Sequence, residues 1–230
     1  MTNGILAVWS DIDAEAADDY TAWYEREHMF ERLEVPGFRR ARHYRTVSGM
    51  PEYFTYFELD SPAVVASAAY LAQANSSSPW TQRILPHFRN ANRTACRVLR
   101  RLGRGFGATA MTVRLEAADG CEPALIAALG DDILPAAVTR PGIVAAQLWQ
   151  ADREATLQPV QDRDLRPTPD AVSDLVVFVE ATDVGPLDAL AEATLSAAAL
   201  TALGAAIPLF AAIHQLLNGA EGTEAPPIRA

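Results

Sequence analysis

The sequence predicts an α+β fold in which two ferredoxin-like βαββαβ repeats form an intramolecular dimeric α+β barrel. The first observation is a Pro-Gly step that occurs twice, at Pro36-Gly37 and Pro141-Gly142, with an offset of 105 residues. The second is that two apolar runs, Leu6–Val8 and Met111–Val113, lie at the same offset. The third is the element order βαββαβ in each copy, which leaves one sheet face to be covered by a second sheet.

The first repeat spans residues 1–103, and its elements follow from hydrophobic periodicity and turn signals. Apolar residues at helical spacing, among them Ala16, Tyr20 and Trp23, predict the first helix, which ends before Pro36-Gly37. A Ser-Gly-Met-Pro segment between two strand-like runs predicts a hairpin. The predicted order is strand Ile5–Ser10, helix Ala14–Leu33, strand Phe38–Val47, strand Glu52–Leu59, a helical region from Ser61 to about Phe88, and strand Thr94–Leu102.

The second repeat spans residues 108–218 and follows a glycine-rich linker, Gly103–Gly107. Before its third strand the offset between the copies grows from 105 to 122 residues, so a polar insertion, Ala151–Ser173, is predicted to be an excursion loop. Residues 219–230 are predicted to be a loose C-terminal tail. The predicted order is strand Ala108–Glu116, helix Glu122–Val138, strand Ile143–Ala151, strand Asp174–Ala181, helix Leu187–Ala206 and strand Leu209–Leu217.

Composition excludes several function classes. The chain has 230 residues and a formal net charge of −10, so it lacks the basic surface of a nucleic-acid-binding protein. Cys96 and Cys121 lie far apart and no two histidines have helical spacing, which predicts neither a metal site nor a disulfide framework. The apolar stretch Ala189–Ile213 contains Glu192 and predicts a buried helix rather than a membrane span. We therefore expect a cytoplasmic protein.

A dense motif covers the end of the first helix and the start of the next strand. It reads WYEREHMFERL from Trp23 to Leu33, and VPGF follows from Val35 to Phe38. This pattern resembles the signature of EthD-like proteins, which belong to the dimeric α+β barrel superfamily, and the resemblance covers residues 1–100. Phe30 stands where that signature usually has a proline. The resemblance implies the dimeric α+β barrel fold for this chain. It does not select one reaction, because the superfamily includes cyclases, isomerases, cofactor-free monooxygenases and haem-dependent enzymes.

The second repeat lacks the ionisable groups at the centre of this motif. At the offset of 105 residues, His28 corresponds to Ile133 and Arg32 corresponds to Ala137. We therefore expect that any chemistry takes place in the first repeat, with the second repeat acting as a scaffold.

His28 is the candidate general acid or base, because an imidazole titrates near neutral pH without a cofactor. Tyr24 precedes His28 by four residues, so both side chains lie on one helical stripe. Strand alternation places Arg42 and Tyr44 on the same face as Phe38, and we expect this face to point towards the helices. Arg42 would then stabilise negative charge on a substrate oxygen. The alternatives are a structural role for His28 at the helix end and a barrel-interior position for Arg42.

Aromatic residues are concentrated in the first repeat, whereas the second repeat consists mostly of Ala, Leu and Val. The contrast predicts a first-repeat cavity for a small apolar substrate, aromatic or polyketide-like, although aromatic side chains are also common core residues. The predicted substrate-binding residues are Trp9, Tyr20, Glu31, Tyr44, Tyr56 and Trp80.

The sequence is compatible with three functions. The first is a cofactor-independent isomerase, cyclase, lyase or monooxygenase in which His28 moves a proton. The second is a haem-binding oxygenase or peroxidase-like protein with His87 or His28 as the iron ligand. The third is a non-catalytic module that binds a hydrophobic ligand. The sequence determines neither substrate nor reaction. A homodimer is compatible with it but not required, because the second repeat already supplies the partner sheet.

Overall fold

The computed structural model describes residues 3–222, and eight strands lie within them. They are β1 (Gly4–Ile12), β2 (Phe38–Gly49), β3 (Tyr53–Leu59), β4 (Phe88–Gly103), β5 (Thr109–Leu115), β6 (Ile143–Ala151), β7 (Leu175–Ala181) and β8 (Phe210–Glu221). Neighbouring strands pair antiparallel and close one barrel in the order β1-β3-β2-β8-β5-β7-β6-β4. The predicted fold class, an α+β dimeric barrel within one chain, is confirmed.

Short helical segments cover the outside of the barrel. No helix within residues 3–222 is long and apolar enough to span a membrane. The α-helices are α1 (Ala17–Trp23), α2 (Met29–Leu33), α3 (Ala68–Ala74), α4 (Pro79–Ile84), α5 (Glu122–Ala127), α6 (Leu134–Ala137), α7 (Arg153–Thr156), α8 (Gln161–Asp164), α9 (Val184–Glu192) and α10 (Ala197–Ala202). Turns of 3₁₀ helix occupy Ala14–Ala16, Pro62–Ala66 and Leu85–His87, and π-helical turns occupy Tyr24–His28 and Ala128–Ile133.

The two halves of the barrel have the same strand order. The first half is β4-β1-β3-β2 and the second half is β8-β5-β7-β6, so each half is one βαββαβ repeat. The halves join along two seams, where β2 pairs with β8 and β4 pairs with β6. Each repeat therefore supplies the sheet that covers the inner face of the other.

Three apolar clusters hold this arrangement together. One lies between the helices and the sheet of the first half, and a second lies in the equivalent layer of the second half. The third fills the barrel interior and contains side chains from both halves. Within it the Tyr56 ring lies 5.1 Å from Phe178 and 5.8 Å from Trp149, centroid to centroid. The interior is therefore a packed core that joins the two repeats.

Three element boundaries differ from the sequence prediction. Strand β8 extends to Glu221, which pairs with Arg40 of β2, so Gly219–Glu221 belong to the barrel instead of a loose tail. Residues 223–230 of the predicted tail lie outside the described residues. Strand β4 begins at Phe88, six residues before the predicted Thr94, because its early residues pair with β1. The predicted helix Leu187–Ala206 is divided into α9 and α10.

The insertion of the second repeat folds back over the first half. We call residues 152–173 the excursion segment; it contains α7 and α8. Its two ends are fixed to β4, where Asp152 N–H donates to Ala95 O (2.8 Å) and Arg93 N–H donates to Ala171 O (3.0 Å). A segment that belongs to one repeat in sequence therefore covers the outer layer of the other.

Candidate active site

The helical region of the WYEREHMFERL motif brings two predicted catalytic residues together. Tyr24 and His28 lie at the ends of the π-helical turn between α1 and α2, and Arg32 follows one turn later. Tyr24 is 2% exposed and Arg32 is 5% exposed, although arginine is rarely buried without a partner. All three side chains reach the space between this helix and the outer face of the first-half sheet.

The His28 ring lies against two aromatic rings. Its centroid is 4.0 Å from Trp23 in a stacked arrangement and 5.3 Å from Tyr24 in an edge-on arrangement. Nδ1 is fully enclosed and has no hydrogen-bond partner among the described residues. Burial, reinforced by the charges of Arg32 and Arg166, holds the pKa of His28 well below its usual value. The imidazole is therefore neutral at physiological pH and able to accept a proton.

Arg32 connects the helix to the excursion segment. It forms a buried ion pair with Asp162 (2.6 Å) and donates to Gln73 Oε1 (2.9 Å). The hydroxyl of Ser77 donates to the other oxygen of the Asp162 carboxylate. These bonds fix α8 over the cavity beside His28.

Arg93 and Tyr70 form a second polar pair on the same cavity. Arg93 Nη2 donates to Tyr70 Oη at 2.9 Å, and both residues are buried. Burial alone would raise the pKa of the Tyr70 phenol, but the charges of Arg93 and Arg32 lower it below the ordinary tyrosine value. Tyr70 is therefore a more acidic proton donor than an isolated phenol.

Two further arginines come from the excursion segment. Arg166 Nη1 pairs with Asp170 Oδ1 (2.5 Å), and Arg163 Nε lies 3.3 Å from Asp170 Oδ2. The Arg166 guanidinium also lies 4.7 Å from the centroid of the Phe88 ring. Arg163 and Arg166 thus share a single carboxylate, which leaves an excess of positive charge around the cavity.

The enclosed cavity is small and has one polar and one apolar side. Its volume is about 30 Å³, enough for about one water molecule. Leu6, Val8 and Phe57 of the sheet form the apolar side. The polar side carries a neutral imidazole and four guanidinium groups, an arrangement that favours a substrate with negative charge or one that develops it during reaction.

Arg42 does not reach this cavity, which corrects the orientation expected from strand alternation. A β-bulge between Phe38 and Arg40 shifts the alternation of β2. Phe38 and Ala41 therefore face the helices, whereas Tyr44 lies in the barrel interior. The Arg42 guanidinium packs 4.3 Å from the centroid of the Phe106 ring in the linker.

The predicted substrate-binding residues are distributed over three environments. Trp9, Tyr44 and Tyr56 are fully buried in the barrel interior. Tyr20 packs behind Tyr24 in the outer core, at 4.9 Å between centroids, and does not line the cavity.

The other two predicted substrate-binding residues lie outside the cavity. The Trp80 indole donates to Asp19 Oδ1 at 2.9 Å on the outer side of α4. Glu31 is partly buried, and burial together with the nearby Glu27 raises the pKa of its carboxyl group.

His87, the proposed haem ligand, lies away from the cavity. Its Nδ1 is 3.2 Å from Asp13 Oδ2, and Arg89 pairs with the same carboxylate at 2.6 Å. Among residues 3–222, Asp13, Glu15 and His87 form one group of three side chains that could approach a metal ion. Because the Asp13 carboxylate already forms an ion pair with Arg89, the group is not a preformed metal site.

Several cavity residues were not singled out from the sequence. Arg93 could have been found, because it alternates with Ala91 and Ala95 on the helix-facing side of β4, where a charged residue is unexpected. Asp162 and Arg166 gave no such signal, since they lie in a polar insertion whose folded position depends on tertiary contacts.

Comparisons with known proteins find the same fold in solved structures. No protein-family model and no curated protein matches the chain. The chain is similar to the crystal structure of an anthrone oxidase-like protein, with TM-score 0.61 and 12% identity, over 100% of this chain and 97% of the other.

Two bacterial proteins assigned as monooxygenase candidates are also similar. The protein from Fusobacterium nucleatum gives TM-score 0.58 and 10% identity, over 96% of this chain and 95% of the other. The protein from Lactobacillus acidophilus gives TM-score 0.57 and 9% identity, over 96% and 97%. The likeness extends over whole chains, and at these identities it establishes the fold. The chain is a tandem dimeric α+β barrel with monooxygenase-like structural neighbours.

Proposed function

We propose that this protein is an enzyme that uses neutral His28 as a general base on a small, weakly acidic substrate. The observation that carries the proposal is the enclosed and unpartnered Nδ1 of His28 on the wall of a cavity surrounded by four arginines. Acid–base catalysis needs a group that changes protonation during turnover, and His28 is neutral before the reaction. The sequence predicted catalytic roles for both Tyr24 and Arg42. Tyr24 lies beside His28 on the cavity wall, whereas Arg42 lies outside the cavity and has no part in this proposal.

The charges of the cavity determine which substrate suits it. An imidazole of lowered pKa is a weak base towards a neutral substrate in water. Arg32, Arg93 and Arg166 offset this weakness, because they stabilise the anion that remains after the proton has moved. A phenol, an enol or an acidic CH₂ group between conjugating substituents meets this requirement. Tyr70 is placed to return a proton to the product.

We further propose oxygenation as the fate of that anion, and the names of the structural neighbours support this step. In an acidic CH₂ substrate one C–H bond breaks, the proton moves to His28, and the electron pair remains on carbon. Dioxygen is the oxidant. The CH₂ group becomes C=O with one oxygen atom, and the second oxygen atom leaves as water with the two hydrogens.

Substrate entry requires the excursion segment to move, because the closed cavity has a volume of about 30 Å³. The segment contributes Val160, Asp162, Arg163 and Arg166 to the cavity wall. It is anchored at both ends to β4 and in the middle by the Arg32–Asp162 ion pair. An outward movement of α7 and α8 would open the polar side, and closure would exclude water from the reaction.

The proposal is tested with anthrone, the substrate suggested by the anthrone oxidase-like neighbour, in an oxygen-consumption assay. Replacement His28→Ala should lower the rate at least about 100-fold, because a positioned general base typically contributes 10²–10⁴. His87→Ala is the matched control and should leave the rate unchanged, since His87 lies outside the cavity. Full turnover in His28→Ala would show that His28 is not the base.

A second candidate function is a non-catalytic module that binds a ligand through the apolar side of the cavity, which Leu6, Val8 and Phe57 form. This second function would be supported if the protein binds the ligand without consuming oxygen and if His28→Ala binds the ligand with the same affinity. Haem binding through His28 would require the excursion segment to open, as anthrone binding does, and haem binding through His87 would require that residue to leave Asp13. A Soret band that appears on haem titration and is lost in a His28 or His87 variant would support haem binding.

A further inference from the structure

A second and larger pocket lies at the opposite end of β5 from the linker. Its volume is about 440 Å³, within the range of pockets that hold small organic ligands. The apolar part of its wall comes from the turn between β2 and β3, from Leu115 and from the segment Pro208–Phe210. None of its lining residues lines the His28 cavity, so this pocket is a separate site.

Arg114 is the charged group at the base of this pocket. The residue is 8% exposed, and its guanidinium lies between two aromatic rings, 5.1 Å from the centroid of Trp9 and 5.0 Å from that of Phe210. Three arginines are buried among residues 3–222. Arg32 pairs with Asp162 and Arg93 donates to Tyr70, whereas the guanidinium of Arg114 has no hydrogen bond and no ion pair within this part of the chain.

The acidic groups of the pocket do not neutralise Arg114 by direct contact. Asp11 is occupied elsewhere: its Oδ1 accepts from Glu52 N–H and its Oδ2 from Asn90 Nδ2, each at 2.7 Å. Glu116 is exposed to solvent. Burial lowers the pKa of Arg114 to about 10, and Asp11 opposes that shift, so the side chain remains cationic at neutral pH. The N–H groups of this cation are therefore available to a ligand that carries the opposite charge.

We propose that this pocket binds a small apolar molecule that carries one carboxylate group, held by Arg114. The planar guanidinium matches a carboxylate through two parallel N–H···O bonds. The rings of Trp9 and Phe210 contact the guanidinium, and its N–H groups are the part available to a ligand. Leu115, Pro208 and Phe210 then cover the apolar body of the ligand.

The test uses benzoate as the probe and benzamide as its uncharged isostere, with binding measured by calorimetric titration of the full chain. Benzoate should bind more tightly than benzamide, because only the carboxylate neutralises Arg114. Arg114→Met should weaken benzoate binding at least about 10-fold, the loss expected for a charge-assisted hydrogen-bonded pair. Arg104→Met is the control; this exposed arginine lies in the linker at the other end of the barrel and should have no effect.

A second variant keeps the test decisive if Arg114→Met fails to fold. Phe210 is 48% exposed, so Phe210→Ala removes one ring from the Arg114 stack with little change to the core, and it should also weaken benzoate binding. The proposal is overturned if benzoate fails to bind at millimolar concentration or binds no more tightly than benzamide. It is equally overturned if the pocket variants that fold bind benzoate as the wild type does.

Discussion

The two repeats have the same backbone plan but place different side chains between helix and sheet. In the first repeat this layer contains buried ionisable and aromatic groups beside a cavity, and in the second repeat the equivalent helix positions are apolar. The shared backbone plan therefore does not depend on these ionisable groups, and their roles belong to the first repeat alone: the Arg32–Asp162 pair holds the excursion segment, and His28 lines the cavity. The equivalent pairs are Tyr20 and Leu125, Tyr24 and Leu129, His28 and Ile133, and Arg32 and Ala137.

The π-helical turn, unlike the ionisable groups, is present in both repeats. A π-helical turn covers Tyr24–His28 in the first repeat and Ala128–Ile133 in the second. Such turns often mark functional sites. Here the turn is also present in the repeat that lacks the histidine, so it belongs to the shared backbone plan and is not by itself evidence for catalysis.

Separation of the repeats should have the largest effect. Cutting the chain within Gly103–Gly107 would expose the inner sheet face of the first repeat, including Phe54 and Tyr56, which now contact Phe178. Residues 1–104 alone should aggregate or form homodimers, because exposed apolar faces of this size associate. Light scattering coupled to size-exclusion chromatography measures the outcome, and co-expression with residues 105–230 should restore a soluble complex. A stable, monomeric first repeat would contradict the intramolecular barrel.

A smaller effect is expected when the first repeat is made to resemble the second at Arg32. Arg32→Ala copies Ala137 and leaves the Asp162 carboxylate buried without its guanidinium partner. Breaking a buried pair in this way costs about 3–5 kcal/mol in the free energy of unfolding, measured by urea denaturation.

Two further variants sharpen this measurement. The double variant with Asp162→Ala should recover part of the loss, because it removes the unpaired charge. Arg100→Ala is the matched control, since the Arg100–Asp131 pair, which joins β4 of the first repeat to the second repeat, is exposed and should contribute little. Equal losses in Arg32→Ala and Arg100→Ala would argue against a buried ion pair at Asp162.

The third prediction concerns two equivalent glutamates, Glu58 on β3 and Glu180 on β7. Glu58 lies 3.6 Å from Arg40 and 3.4 Å from Arg101. Glu180 is 2% exposed and accepts one long hydrogen bond, 3.4 Å, from Gly107 N–H. Burial raises the pKa of Glu180 to about 7; Glu58 adds to the rise, and the charges of Arg42 and Arg40 oppose it.

The raised pKa makes Glu180 a source of pH-dependent stability. Below the pKa of the unfolded state Glu180 is protonated in both states, and as the pH rises towards 7 only the folded state keeps the proton. The free energy of unfolding should therefore fall by about 2–3 kcal/mol between about pH 5 and pH 8. Glu180→Gln should remove this fall. Glu58→Gln is the comparison variant and should keep a smaller fall, because the Glu58 charge contributes to the raised pKa of Glu180. A difference between wild type and Glu180→Gln that is the same at every pH would refute the assignment.

The repeat architecture was predictable because each repeat carries its own local signals. The Pro-Gly step and the strand periodicity both occur twice, and the barrel confirms the fold that they predicted. The location of His28 and Tyr24 on one helix could be predicted for the same reason. The side of the sheet from which Arg42 projects could not be predicted, because the β-bulge that sets it depends on how β2 pairs with β3.

The sequence by itself determined the two βαββαβ repeats and the position of His28 in the first helical region, since these follow from residues close together in the chain. Tertiary structure decided which strands join the repeats, β2 with β8 and β4 with β6. Tertiary structure decided the environment of His28. Arg93 comes from β4, and Asp162 and Arg166 come from a segment of the second repeat that folds across the first. Their approach to His28 is set by long-range pairing of the excursion segment with β4, which local periodicity does not encode.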